Sequence, residues 1–196
     1  MKNEEKLVKR AQEGDLNAFE EIIELYQNKV YSLVLQMLKT DSDAEDIAQE
    51  VFIKVYKNIN KFQGKSSLYT WIYRITANLC IDELKKKRHV IYWEEKKQTE
   101  EGEVNIEIPS NEKSQDELYE EKELKEKLQA CIERLEPRQK LMIVLRDVKG
   151  FSYEEIAEIT SQKLGTVKSQ INRARLKLKD LLEKDGTFVE YISSKK

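Results

Sequence analysis

"SYEEIAEITSQKLGTVKSQINRARLKLK", residues 152–179, decides the fold. Ser152 followed three residues later by Glu155 is a capping box, and Phe151 stands in N′-to-N4 staple register with Ile156. Ile156, Ala157 and Thr160 predict a short helix. "SQKLG" reads as a turn, and Gly165 and Thr166 begin a second helix. On that helix Val167, Ile171, Ala174 and Leu178 fall within about 60° of one another at roughly 100° per residue. The opposite face carries Lys168, Ser169, Asn172 and Arg173, flanked by Arg175 and Lys179. Such a pair is a helix-turn-helix. Its outward residues suit a major groove: Arg and Lys to guanine, Asn to adenine, Ser to either. The competing reading is an amphipathic helix whose charges are merely solvated. From Lys163 to Lys179 there are six bases and no acid, behind a capped partner helix, and that favours phosphates over water.

The net charge of −2 hides this polarity. Between His89 and Glu121 eleven acids face three lysines, a balance of −8 that leaves +6 on the rest of the chain. The basic remainder is fit to meet a polyanion. Hydrophobic residues make up 39% and charged residues 37%, with six Gly and two Pro, which favours an all-α protein with modest cores. No run of about 18 apolar residues predicts a membrane span. "MKNEEKLVKRAQEGD" has no apolar signal core, so a cytoplasmic location is expected. Cys80 and Cys131 lack a CxxC spacing or a partnered His and read as reduced thiols. His89 is the only histidine and has no nucleophile motif near it. With no Walker loop and no carboxylate cluster for magnesium, the expectation is a non-enzyme without catalytic, cofactor or metal residues.

Upstream, Phe19, Ile22, Ile23, Tyr26, Val30, Leu33, Val34, Met37 and Leu38 recur at helical steps. In "SDAEDIAQEVFIKVYKNI", Ser42 and Glu45 predict a capping-box start. Behind it Ala44, Ile47, Ala48, Val51, Phe52, Val55, Tyr56 and Ile59 form one buried stripe. "NKFQGKSS" breaks the pattern, and Leu68, Trp71, Ile72, Ile75 and Leu79 open a third long helix running into "LKKKR". Residues 89 to about 115 lose periodicity and read as a linker. Leu118, Leu124, Leu128, Ile132 and Leu135 restore it, and Pro137 suits a helix first turn. The expected division is two helical domains, 1–90 and 116–184, an acidic linker 91–115 and a tail 185–196.

Three motifs in order resemble one family. "SYEEIAEIT…LGTVKSQINRAR" is similar to the region-4 helix-turn-helix of bacterial sigma factors, which reads the −35 promoter element. "DAEDIAQEVFIKVYKNINKF" resembles their region 2.2, and "LYTWIYRITANLCIDELKKK" resembles regions 2.3 and 2.4. Together they resemble the extracytoplasmic-function (ECF) subfamily of the sigma-70 family, which has only these two domains. The resemblance implies an alternative sigma factor that directs core RNA polymerase to promoters and promotes initiation. The alternative is a stand-alone helix-turn-helix regulator, which would need a receiver or ligand domain where residues 1–90 show no strand pattern.

The implied partners are core RNA polymerase through its β′ coiled coil and β flap, promoter DNA, and an anti-sigma factor. Asp46, Gln49, Glu50 and Ile53 would meet the basic β′ coiled coil, where acids and an amide suit a bidentate polar interface. Gln63, Gly64, Lys65, Ser66, Tyr69, Trp71, Arg74, Thr76 and Asn78 would receive unstacked −10 bases, each stack worth about 1–3 kcal/mol. Lys85, Lys86, Lys87 and Arg88 would hold duplex phosphates. Housekeeping relatives carry a Trp pair for melting, and here Ile72 takes the second place. The −35 set is Thr166, Lys168, Ser169, Asn172, Arg173, Arg175 and Lys179.

Two magnitudes limit what the chain does alone. Opening roughly a dozen pairs at about 1.4 kcal/mol per step costs on the order of 17 kcal/mol, more than one or two captured bases return. Arg88 to Asp116 is 28 steps. That spans at most about 92 Å extended and only about 30 Å as a free coil. Elements about 25 base pairs apart lie roughly 85 Å apart, so the linker must be held stretched. The family threads it through the polymerase's RNA path.

Overall fold

The computed structural model describes residues 2–97 and 117–185. Among the described residues eight α-helices follow in order: α1 (Lys2–Gln12), α2 (Leu16–Leu38), α3 (Asp41–Asn58), α4 (Leu68–Lys97), α5 (Glu117–Glu133), α6 (Pro137–Ile143), α7 (Tyr153–Thr160) and α8 (Leu164–Lys184). The fold is all-α, with no strand among the described residues.

In the first unit α2, α3 and α4 pack mutually and α1 lies along α2. Gly14 turns the chain at φ +93°, and Asp15 then caps α2 by accepting from the amides of Asn17 at 3.0 Å and Ala18 at 3.2 Å. The Gln12 amide donates to the carbonyls of Ile59 and Phe62, both at 2.9 Å, which ties α1 to the end of α3. From α2 the predicted stripe buries Ile22, Tyr26, Val30, Leu33, Val34, Met37 and Leu38. Ile22, Leu33, Met37 and Ile72 are shut off from solvent, and truncating any of them to Ala costs about 2–5 kcal/mol. Burial pushes the Cys80 thiol, on α4, up to about 12.

In the second unit Pro137 occupies the first turn of α6, inside a capping box formed by Glu136 and Gln139. A single π-turn over Val144–Val148 and Gly150 at φ +76° end that helix. Ser152 and Glu155 close the predicted capping box on α7. Ser161 takes the left-handed conformation at φ 54° and turns the chain into α8.

Several local expectations need correction. Helix α3 starts at Asp41 with Thr40 as its cap residue, so Ser42 lies inside it. The Tyr31 hydroxyl donates to Asp41 at 2.8 Å, and Lys87 ion-pairs with Asp43, which anchors this first turn. The buried stripe of α3 is narrower than predicted: Ala48 and Phe52 are half-buried and Tyr56 is exposed. Helix α4 runs on to Lys97, beyond the expected boundary at 90, because "VIYWEEKK" contains no breaker. Helix α8 begins at Leu164, ahead of Gly165. Asp185, placed at the start of the tail, belongs to the second unit: it accepts from Arg134 at 2.8 Å and from the Cys131 thiol at 3.3 Å. The rest of the predicted linker, 98–115, the first residue of the predicted second domain, Asp116, and the rest of the tail, 186–196, lie outside the described residues.

The two units pack together, with α4 lying against α6 and α7. Lys140 of α6, only 1% exposed, is ion-paired with Glu133, and Glu133 in turn pairs with Lys39 of the first unit at 3.6 Å. Burial lowers the Lys140 pKa, opposed by Glu133.

Candidate nucleic-acid interface

Helix α8 turns Val167, Ile171 and Ala174 into the core and half-buries Leu178. This fixes the rotation of the helix and leaves Thr166, Lys168, Ser169, Asn172 and Arg173 exposed on one side. The Ser169 hydroxyl donates to the Thr166 carbonyl at 2.8 Å and keeps its lone pairs for an outside donor. Lys168 reaches back over the Tyr153 ring at 5.8 Å, while Arg146 lies over that ring at 4.6 Å. Arg175 is exposed on the same helix. Its guanidinium is paired with Asp147 in the π-turn, so it braces α8 against the preceding element. Lys179 pairs with Glu183 at 3.5 Å on an exposed surface, a contact that water and salt readily exchange.

The second cluster lies at the start of α4. Gly64 turns at φ +68° in an exposed loop with Gln63 and Lys65, and Ser66 is half-buried. The Ser67 hydroxyl accepts from the Thr70 amide at 3.0 Å and so caps α4. Trp71 packs on Phe62 with ring centroids 5.2 Å apart, which makes its role partly structural. Thr76 is fully buried and bonds the Ile72 carbonyl at 2.9 Å, which removes it from the candidate surface. Asn78 is exposed. Tyr69 stacks on Phe151 of the second unit at 5.8 Å, and Arg74 donates to the Glu158 carbonyl at 2.7 Å. The basic run also divides. Lys85 and Lys86 are exposed, with Lys86 near Glu83 at 3.4 Å. Lys87 is committed to Asp43, and Arg88 binds the Leu135 carbonyl and Glu136 across the unit boundary. The first half of the predicted phosphate row is the more exposed, and Lys87 and Arg88 keep 37% of each side chain in water.

On α3, Asp46 and Gln49 are exposed, Glu50 pairs with Lys54 at 3.2 Å, and Ile53 is 45% exposed. Next to them the sequence reading missed an open groove of about 640 Å³ between α2 and α3, lined by Phe19, Ile23, Phe52, Ile53 and Tyr56. The signal was present: eight apolar positions on α3 exceed what one buried seam absorbs. Polar residues beside an apolar groove form a surface suited to a protein partner.

Among the described residues no helix is long and apolar enough to cross a membrane. Residues 22–90 match the family model for Sigma-70 region 2, and residues 125–178 match that for Sigma-70 region 4. The chain is 35% identical over 178 residues to the ECF RNA polymerase sigma factor SigW of Bacillus subtilis, covering 90% of this chain and 95% of that one. In fold it resembles CnrH, solved in complex with the cytosolic domain of CnrY, with TM-score 0.63, 19% identity, and coverage of 93% of this chain and 98% of the other. It also resembles the sigma factor RpoE of Bartonella quintana, solved with the anti-sigma factor NepR, with TM-score 0.57, 24% identity, and coverage of 84% and 96%.

Proposed function

The chain belongs to the ECF sigma factors of the sigma-70 family, and on that premise we propose how its surfaces divide the work of an alternative sigma factor. It binds core RNA polymerase, directs it to promoters and promotes initiation; the phosphoryl chemistry is the polymerase's. The observation that carries the reading is the exposed Lys168–Asn172–Arg173 face of a capped helix-turn-helix, joined in one chain to the α2–α4 unit. That face reads the −35 element, Arg173 and Lys168 at base edges and Lys179 at a phosphate. Tyr69, Arg74, Asn78 and the loop from Gln63 to Ser66 take the −10 bases, and Lys85 and Lys86 hold the duplex beside them.

Asp46, Gln49, Glu50 and Ile53 dock on the β′ coiled coil, with the adjoining groove taking apolar side chains of the same partner. Region 2 comprises α1–α4 and region 4 comprises α5–α8, the latter against the β flap. The segment between is held stretched in the polymerase, and an anti-sigma factor covers these faces when the protein is silent. The Bartonella RpoE, similar in fold, was solved bound to such a partner. The protein works in the cytoplasm with the polymerase. Run-off transcription with purified core enzyme on a promoter library tests the reading. Specific transcripts that need both a −35 and a −10 element support it; transcription factor activity without core enzyme points to a stand-alone regulator.

A further inference from the structure

The polar ridge of α8 contains an apolar side chain. Leu176 is 59% exposed and is the most exposed leucine on the helix. At about 100° per residue it lies roughly 140–180° from Val167, Ile171 and Ala174, all buried. It lies within about 60° of Ser169, Asn172 and Arg173, all exposed. The same seam that fixes the rotation of α8 therefore holds Leu176 straight out from the second unit, and it belongs neither to the core nor to the side chains packed on it. We propose that Leu176 is a specificity-determining residue of the −35 face: it packs on the C5-methyl group of a thymine one or two base pairs from the pair that Arg173 reads.

The register follows from helix geometry. Leu176 stands three residues beyond Arg173 and four beyond Asn172, about 4.5 and 6 Å along the axis. Bases in one strand are spaced by about 3.4 Å, so a side chain that far along addresses the next pair or the one after it. The ligand follows from chemistry. Base edges in the major groove present hydrogen-bonding groups, and thymine adds the one apolar group, its methyl. Contact between the two removes apolar surface of both from water. Cytosine offers an amino donor there and no methyl, so the contact favours thymine over cytosine.

The surroundings of Leu176 argue against a protein partner. Surfaces that dock proteins gather apolar side chains into a patch. The neighbours of Leu176 one turn away on either side are Asn172, Arg173, Lys179 and Asp180, and none is apolar. Asp180 is held by Lys177 at 3.3 Å and Lys184 at 3.2 Å, which compensates the one acid beside the ridge. A lone leucine among cations and amides matches a lone methyl group among phosphates and polar base edges.

This role of Leu176 rests on the −35 reading proposed above, and one series of promoters separates the two. Holoenzyme is titrated with duplex promoters found by run-off transcription, in which each −35 thymine is replaced in turn by uracil. The change removes the C5-methyl group and keeps every hydrogen bond. One replacement, one or two pairs from the position whose preference Arg173→Ala relaxes, should weaken wild-type binding about fourfold, the worth of one buried methyl group. Leu176→Ala should bind the thymine promoter several-fold more weakly than wild type and should not distinguish thymine from uracil. Leu176→Met keeps an apolar side chain of similar size and should keep the distinction. The salt slope of Leu176→Ala should equal that of wild type, since no phosphate contact is lost. Circular dichroism should stay native, because the side chain is outside the core. Absence of a uracil-sensitive thymine within two pairs of the Arg173 position overturns the role of Leu176 and leaves the −35 reading standing. A sensitivity that survives in Leu176→Ala, or a salt slope lowered in that variant, has the same consequence. If Arg173→Ala relaxes no base preference, the −35 reading itself falls, and the role of Leu176 with it.

Discussion

The outward face of α8 and the leading face of α4 serve one task and stand in opposite states. The first holds Lys168, Asn172 and Arg173 in water, whereas the second holds Tyr69, Tyr73 and Arg74 against the neighbouring unit. Their chemistry accounts for the difference. A cluster of cations and amides is well solvated and gains little from a protein neighbour, so it stays open. An aromatic surface that rewards a flipped base rewards another ring as well, and Phe151 supplies one. A charged reading surface can be stored bare; an aromatic one finds a cover.

A third face sharpens that contrast most strongly. Asp46→Arg combined with Glu50→Arg should abolish core-polymerase capture in a pull-down while circular dichroism and hydroxyl-radical footprinting of Tyr69 stay native, because both side chains lie away from α7. Loss of Tyr69 protection in this variant would show that the α3 face and the Phe151–Tyr69 contact are one system.

Arg173→Ala and Arg74→Ala should then part company. The first should cost about 1–3 kcal/mol of holoenzyme affinity and relax preference at one −35 position, with the free chain's footprint unchanged. The second should weaken −10 engagement in holoenzyme and raise Tyr69 reactivity in the free chain. A promoter substitution series read beside footprinting distinguishes them, and identical behaviour would erase the difference between the two faces.

Ser152→Ala probes the support beneath both faces, since α7 carries Glu158 and packs on α8. Losing the cap should cost about 1 kcal/mol, read as a lower urea midpoint at unchanged slope. The smallest effects belong to the end of α8. Lys179→Ala should weaken all promoters alike and lower the salt slope by about 0.9. Arg175→Ala should leave base preference alone and cost no more than about 1 kcal/mol of stability, because its pair with Asp147 is largely exposed. A base-specific loss on removing Arg175 would return it to the reading face.

The amino-acid sequence by itself determined the all-α class, the order of the helices, the Ser152–Glu155 cap and the composition of the α8 face. Each depends on residues within one or two helical turns, and a periodicity of 3.6 records such relations directly. Tertiary structure alone decided which charges are already committed. Arg175 meets Asp147 across 28 positions, Lys87 meets Asp43 across 44, and Arg74 meets Glu158 across 84. No local pattern records pairs at those separations. The same holds for the groove between α2 and α3: Phe52 and Tyr56 look like core on their own helix, yet the packed unit leaves the first half-buried and the second exposed. The closing of Phe151 over Tyr69 is the extreme case, because it depends on how two separate units pack, and their surfaces carry that instruction in three dimensions rather than along the chain.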